Sequence, residues 1–213
     1  MEDVSQAVGA KRGGRISGAF GEIACFSMNP MKALGACGEA GAVVTDSAEV
    51  YEALQILRYN GTVNKETCIN VSLNGRMDTL QAAILSARLP RLEGLIGKRR
   101  EIAEHYTKAL KGLVATPDET AEEFNSYYSY TIQTEWRDEL KGYLEERGIE
   151  TKIQHPILMP NQPAYREWTT AEKETAEKVV GRILCLPASE KLRPEEQAYV
   201  IETVTTFITG KKA

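Results

Sequence analysis

Long apolar runs, a large charge excess and aromatic residues are all scarce in this chain of 213 residues. No apolar run approaches the ~20 residues that a membrane-spanning helix needs, so no membrane partner is expected. The net charge is −4, which makes nucleic acid an unexpected partner as well. Hydrophobic residues still make up 42% of the chain, enough for a packed core.

Cysteine and histidine are few and scattered. The four cysteines form no C-x-x-C pair, and His105 and His155 lie far apart in the sequence. This distribution argues against a zinc site or a disulfide framework, so no metal is predicted. The first residues, MEDVSQ, lack the basic and apolar regions of a secretory signal. Together these features fit a reducing compartment, and we expect a cytoplasmic protein.

A glycine-rich loop between two strand-like runs holds Lys32. The run from Ile23 to Ser27 is apolar and ends at a hydroxyl, and Gly41 to Thr45 forms the second run. A lysine in this loop is partly desolvated, which favours the neutral, nucleophilic amine. Its obvious use is a Schiff base with a carbonyl group. On position alone a solvated loop lysine is the better interpretation, because most lysines are exposed.

Helix-like and strand-like patterns follow along the chain. Apolar spacing predicts a helix from Met77 to Ala87 and a longer amphipathic helix beyond Pro90, with Lys98 to Arg100 on its solvated face. Alternation predicts strands at Tyr127 to Thr134 and at Ile149 to Ile153. The predicted core face of the first helix comprises Leu80, Ala83, Ile84 and Ala87. Two more helices are predicted, over Thr170 to Ile183 and from Pro194 onward.

Three stretches of the chain resemble one enzyme family. They are S-M-N-P-M-K-A-L-G-A-C-G-E-A-G-A-V-V-T around Lys32, E-D-V-S-Q-A-V-G-A from Glu2, and N-G-R-M-D-T-L-Q-A-A from Asn74. In order and spacing they are similar to motifs of the DegT/DnrJ/StrS sugar aminotransferases, which are fold-type-I enzymes dependent on pyridoxal 5′-phosphate (PLP). The resemblance covers essentially the whole chain, but only the later part of a family member.

The resemblance implies an α/β fold in two parts. Residues 1–111 would be the C-terminal part of the aminotransferase large domain, a mixed sheet with helices that includes the lysine loop and a long connecting helix. Residues 112–213 would form a small C-terminal α+β domain. The mixture of short strands and helices after residue 112 favours such a domain independently.

Five residues would hold the cofactor if the resemblance extends to the site. Lys32 would form the Schiff base, Asp3 would face the pyridine nitrogen, and Gln6 would flank the ring near its phenolic oxygen. Ser27 precedes Lys32 by five residues and would donate to the phosphate. Asn74 would reach a phosphate across a dimer interface.

Each of these residues also has an ordinary structural interpretation. Asp3 could be a strand-end aspartate, Gln6 a polar residue at a helix start, and Ser27 a strand-end cap. Asn74 could be a turn residue or the cap of the helix at Met77. The predicted site does not include Arg76 or His155. We interpret Arg76 as a structural residue and His155 as a packed loop histidine.

The implied reaction is amino transfer from glutamate or glutamine to a keto group of a nucleotide-linked sugar, in the biosynthesis of a surface polysaccharide or a glycosylated metabolite. Lysine rather than histidine at position 32 favours amino transfer over sugar deoxygenation. A homodimer with a shared active site is implied. Two alternatives stay open: a keto-cyclitol aminotransferase on the same scaffold, and a truncated or split fragment with a regulatory or partner-chain role. Family members carry a long segment before E-D-x-x-Q, so we also expect a separate N-terminal fragment as partner and weak activity of this chain alone.

Overall fold

The computed structural model describes residues 1–168 and 173–212 of the chain. Two compact units are present: Met1–Gly97 with Glu119–Tyr128, and Lys98–Asp118 with Ser129–Ala213. The domain limits given above, 1–111 and 112–213, stay a prediction. Helices and strands are mixed along the chain, so the predicted α/β class is confirmed. None of the helices in the described ranges is long and apolar enough to cross a membrane.

Ten short strands and six helices make up the described chain. The strands are β1 (Glu2–Asp3), β2 (Lys11–Arg12), β3 (Arg15–Ile16), β4 (Ile23–Ser27), β5 (Gly41–Thr45), β6 (Thr62–Val63), β7 (Thr67–Cys68), β8 (Glu123–Phe124), β9 (Tyr130–Gln133) and β10 (Ile183–Leu186). The helices are α1 (Ala48–Arg58), α2 (Thr79–Arg88), α3 (Leu92–Leu110), α4 (Arg137–Glu145), α5 (Glu174–Val180) and α6 (Pro194–Lys212).

A three-stranded sheet in the order β1-β4-β5 organises the first unit. Strand β1 runs parallel to β4, with Asp3 opposite Cys25. Strand β5 runs antiparallel to β4, with Ser27 opposite Gly41. Both predicted strands around the lysine loop are confirmed at their predicted limits. An apolar run bounded by a hydroxyl and by loop-forming residues therefore located the two strands correctly.

Helix α2 buries a different face from the one predicted. Leu85 is 7% exposed and packs in a small core with Leu34 and Ala36 of the lysine loop. Leu80 of the predicted face is 69% exposed, and Ala83 and Ala87 are exposed as well. The predicted core face was therefore wrong, because apolar spacing shows that a helix has an apolar face but not which side another element covers.

The second unit is centred on the antiparallel pair β9 and β10. Its core joins residues of α3, α4 and α6 to this pair, among them Tyr106, whose ring stacks on that of Tyr130 with centroids 5.0 Å apart. The Tyr106 hydroxyl donates to the Pro187 carbonyl at 2.9 Å. Burial raises the pKa of the Tyr106 phenol, so this hydroxyl stays a donor.

Several local predictions for the later part of the chain differ from the structure. Arg99, predicted on a solvated face, is 7% exposed and pairs with Glu190 at 2.8 Å. The segment Ile149 to Ile153 is not a strand, and contributes a single bridge between Lys152 and Cys185. The helix predicted from Thr170 to Ile183 is α5, which is shorter, and residues 170–172 lie outside the described ranges. Such differences arise because side chains distant in sequence decide burial and pairing.

Candidate active site

Asp3 and Ser27 lie at the same edge and on the same face of the central sheet. Since β1 and β4 are parallel, their carboxyl ends lie at one edge. Asp3 stands opposite Cys25, and Ser27 is two residues further along β4. Side chains alternate between faces along a strand, so Asp3, Cys25 and Ser27 share one face. This edge, beyond the carboxyl ends of parallel strands, is where open α/β sheets bind ligands.

Ser5 holds the carboxylate of Asp3 in place. Its backbone N–H donates to Asp3 Oδ1 at 2.9 Å, and its hydroxyl donates to the same oxygen. The hydroxyl bond, then the backbone bond and the nearby charge of Lys32 lower the pKa of Asp3 against a small opposing effect of burial. Asp3 is therefore an ionised carboxylate at neutral pH, and a charge interaction joins it to Lys32.

The turn that carries Lys32 closes tightly on its own backbone. The Lys32 N–H donates to the Asn29 carbonyl at 2.9 Å, and the Asn29 side chain accepts the N–H of Met31 at 2.9 Å. A Cβ at Gly35 would lie 2.8 Å from the Pro30 oxygen and 3.0 Å from the Lys32 oxygen. Position 35 therefore requires glycine, and this close approach fixes the path of the loop.

Lys32 also faces an aromatic ring that the sequence analysis did not select. Its Nζ lies 4.4 Å from the centroid of the Tyr128 ring. Tyr128 is distant in sequence and falls in a stretch that reads simply as the start of a strand. The tyrosine-rich composition of that stretch, Y-Y-S-Y, was the available signal, but it carries no information about a contact with Lys32.

Gln6 lies at the same sheet edge, in the turn that follows β1, and its side chain is exposed. Asn74 is also exposed, and its Oδ1 accepts hydrogen bonds from the backbone N–H of Arg76 at 3.3 Å and from its Nε at 2.9 Å. The alternative role of Asn74 as a helix cap is wrong, because α2 begins at Thr79 and its cap position is Asp78. Within the described residues, no hydrogen bond or ring contact joins Asn74 to Lys32.

The groups at this edge fit the chemistry of PLP. An amine is needed for its carbonyl, a carboxylate for its ring nitrogen, and donors for its phosphate. Lys32 provides the amine, Asp3 the carboxylate and Ser27 a donor. Among the described residues, Ser27 Oγ makes no hydrogen bond. The cofactor roles of these three residues, and of Gln6 and Asn74, stay predictions.

Comparison with known proteins identifies relatives along almost the whole chain. Residues 1–205 match the DegT/DnrJ/EryC1/StrS aminotransferase family. A "Pleiotropic regulatory protein" of Geobacillus stearothermophilus is 35% identical, over 97% of this chain and 57% of that protein. A dTDP-3-amino-3,4,6-trideoxy-alpha-D-glucose transaminase of Streptomyces venezuelae is 36% identical, over 96% and 55%. The crystal structure of a DegT DnrJ EryC1 StrS aminotransferase from Brucella abortus has a TM-score of 0.91 at 32% identity, over 96% and 56%. The chain thus spans little more than half the length of these proteins.

Proposed function

Because the chain belongs to the DegT/DnrJ/EryC1/StrS aminotransferase family, we propose that it works as part of a PLP-dependent aminotransferase in the cytoplasm. It moves an amino group from glutamate or glutamine to a keto group of a nucleotide-linked sugar, for a surface polysaccharide or a glycosylated metabolite. The name of the Streptomyces venezuelae relative, a dTDP-sugar transaminase, supports this substrate class. The observation that carries the proposal is the shared sheet edge and face of Asp3 and Ser27, with a charge interaction from Asp3 to Lys32.

Asp3, Ser27 and Gln6 bind and orient the cofactor in this proposal. When bound, PLP supplies an electron sink that stabilises negative charge at the substrate carbon. The Asp3 carboxylate, which Ser5 holds and keeps ionised, would accept a hydrogen bond from the ring nitrogen. Ser27 would donate a hydrogen bond from its hydroxyl to a phosphate oxygen. Gln6 lies in the turn after Asp3 and would flank the phenolic oxygen of the ring.

Lys32 has two roles in the proposed reaction. Its amine would hold the cofactor at the carbonyl carbon and would give way to the amine of the donor. As a free base, the same amine would accept the proton of the substrate carbon and would then donate it to the cofactor carbon. Both roles need an amine held at a fixed place, and the tight turn at Gly35 fixes the backbone that carries Lys32.

We further propose a homodimer in which Asn74 of one copy serves Lys32 of the other. Ile69, Val71 and Leu73 alternate along an extended segment beside Asn74, and they are 55%, 103% and 83% exposed. Leu80, near the start of α2, is a further exposed apolar residue. An exposed apolar surface favours association, and a twofold axis places the same strip on both partners. The Asn74 amide nitrogen, which donates to no described residue, suits a phosphate oxygen.

A second candidate function is a non-catalytic role. The Geobacillus stearothermophilus relative, 35% identical, is named a pleiotropic regulatory protein. Among the described residues, β1 and β5 are each paired on one side only, so the sheet offers two edges to strands of a partner chain. The partner we propose is a polypeptide equivalent to the portion of the relatives that this chain does not span.

An isotope-transfer experiment tests catalysis directly. The chain is incubated with PLP, a dTDP-linked keto sugar, and glutamate or glutamine carrying ¹⁵N, and the sugar is analysed by mass spectrometry. We expect ¹⁵N in the sugar, its loss in Lys32→Ala, and its retention in Lys98→Ala, which removes an exposed lysine of α3. Absence of ¹⁵N from the sugar with either donor, in a chain that retains PLP on Lys32, would favour the non-catalytic role.

A further inference from the structure

The face of the Tyr128 ring contacts the Lys32 amine. Lys32 Nζ lies 4.4 Å from the ring centroid, within the ~6 Å over which an aromatic face attracts an ammonium group. Both side chains are half-buried, so water only partly screens this attraction. The ring and the charge of Asp3 therefore act on the same amine.

A strained turn precedes Tyr128 in the chain. Tyr127 has φ of +46°, a left-handed conformation that bulky residues rarely adopt, and its side chain is 7% exposed. The Tyr127 N–H donates to Asn125 Oδ1 at 2.9 Å, and Ser126 between them is buried. Such a conformation persists only where the surroundings hold it, and conformations of this kind cluster at functional sites.

Strand pairing fixes the same segment from its other end. Strand β8 pairs with β2, with Phe124 opposite Lys11 and Glu123 opposite Arg12. The Asn125 N–H, one residue later, donates to Glu119. The β2–β8 pairing and the hydrogen-bonded turn at Tyr127 therefore fix the backbone just before Tyr128. The position of the Tyr128 ring is thus set by the fold of the first unit.

We propose that Tyr128 is a positioning residue for Lys32, with its ring holding the amine at the sheet edge where Asp3 and Ser27 lie. The turn at Tyr127 determines where this ring lies. The inference rests on the proposed role of Lys32 in binding PLP. Because the ring face makes the contact, Tyr128→Phe should retain the contact with Lys32, whereas Tyr128→Leu should lose it. With leucine the amine visits more rotamers, so its reaction with the cofactor carbonyl should slow.

Nuclear magnetic resonance of ¹³C-methylated lysines reads the contact without any cofactor. Methyl groups on Lys32 Nζ lie over the ring, so their signal should shift upfield from those of exposed lysines, and Lys32→Arg assigns it. The shift should persist in Tyr128→Phe and vanish in Tyr128→Leu. Tyr51→Leu, which alters an exposed tyrosine of α1, should leave it unchanged. A Lys32 signal at the exposed-lysine position in the unaltered chain, or one unmoved in Tyr128→Leu, would overturn the proposal.

A second pair of variants tests the turn. Asn125→Ala removes the acceptor of the Tyr127 N–H, whereas Asn125→Asp keeps an oxygen there. The upfield shift of the Lys32 signal should decrease in the alanine variant and persist in the aspartate variant. Equal shifts in both variants would show that the turn does not position the ring. The rate of borohydride trapping of PLP on Lys32 should fall with the shift. If PLP is trapped on Lys32 in no chain, the proposed function fails, while the upfield shift still decides whether Tyr128 positions the amine.

Discussion

The side-chain oxygen of Gln81, in α2, accepts a hydrogen bond of 2.9 Å from the backbone N–H of Cys37, in the loop that carries Lys32. A Cβ at Gly38 would lie 2.9 Å from the amide nitrogen of the same glutamine. The Gln81 amide thus fills the space left by a residue without a side chain. One amide therefore ties the helix to the lysine loop, 44 residues earlier in the chain.

Gln81→Leu should loosen the lysine loop, because the Cys37 N–H loses its acceptor. We expect the free energy of unfolding to fall by about 1 kcal/mol. Hydrogen exchange at the Cys37 amide should accelerate. Gln81→Glu keeps an acceptor oxygen and should retain most of the protection. Exchange at Cys37 that is equally slow in the leucine variant would show that the bond does not hold the loop.

Gly35→Ala should destabilise the chain, because the new Cβ would approach three carbonyl oxygens at 2.8–3.0 Å. The expected loss is about 1–3 kcal/mol in the free energy of unfolding, measured in urea. Gly97→Ala is the matched control. That glycine lies within α3 with open space around it, so alanine should stabilise the chain by about 0.5–1 kcal/mol. Equal stabilities of the two variants would contradict the close approach at Gly35.

Lys32 should be the residue that PLP modifies. After incubation with PLP, reduction with borohydride and peptide mapping, we expect the label on the peptide containing Lys32. The reason is that Lys32 lies in a tightly closed loop and its charge acts on the Asp3 carboxylate at the sheet edge. Lys32→Arg should remove this label, and Lys98→Arg should leave it in place. Label on other lysines and none on Lys32 would contradict the assignment of Lys32 as the PLP-binding residue.

Val71→Asp should disrupt the proposed dimer. The valine side chain is fully exposed in the apolar strip beside Asn74, so a buried carboxylate there would oppose association. Sedimentation velocity should show dimers of the unaltered chain and monomers of the variant. Val179→Asp changes a partly exposed valine of α5 and should remain dimeric. A monomeric unaltered chain would argue against the dimer.

Glu190 should contribute to stability in a pH-dependent way. Burial raises its pKa, but its own backbone N–H and Arg99 outweigh that effect and hold the pKa below the ordinary value. A lowered pKa means that this stabilisation is present above the pKa of the unfolded chain and is lost as pH falls through the folded pKa. The Arg99 side chain lies 2.8 Å from Glu190 and is 9% exposed, so the partners are shielded from water.

Glu190→Gln should therefore destabilise the chain most at neutral pH, and less well below the ordinary glutamate pKa of about 4.3. Urea unfolding at two pH values measures the difference. Glu145→Gln is the control, because Glu145 pairs with Lys141 on the surface, and it should change stability by less than about 1 kcal/mol. A deficit of Glu190→Gln that does not change with pH would contradict the ionic contribution.

Features that depend on neighbouring residues could be predicted from the sequence. Strands β4 and β5 follow from a short apolar run, a hydroxyl at its end and a glycine-rich connection. The break between α2 and α3 follows from Pro90, which lies within a separate turn of 3-10 helix, Leu89–Arg91. The choice of Asp3, Ser27 and Lys32 came from motif resemblance, which also supplied the family. Such features need no knowledge of distant contacts.

Only the tertiary structure decided which side chains meet. Asp3 and Ser27 share a face because β1 pairs with β4 in one register, and a shift of one residue would separate them. Leu85 is buried and Leu80 exposed because the lysine loop covers one side of α2. Tyr128 contacts Lys32 because the fold of the first unit brings two distant stretches of the chain together. Pairing register and burial are set by contacts between residues far apart in sequence, and local spacing does not specify them.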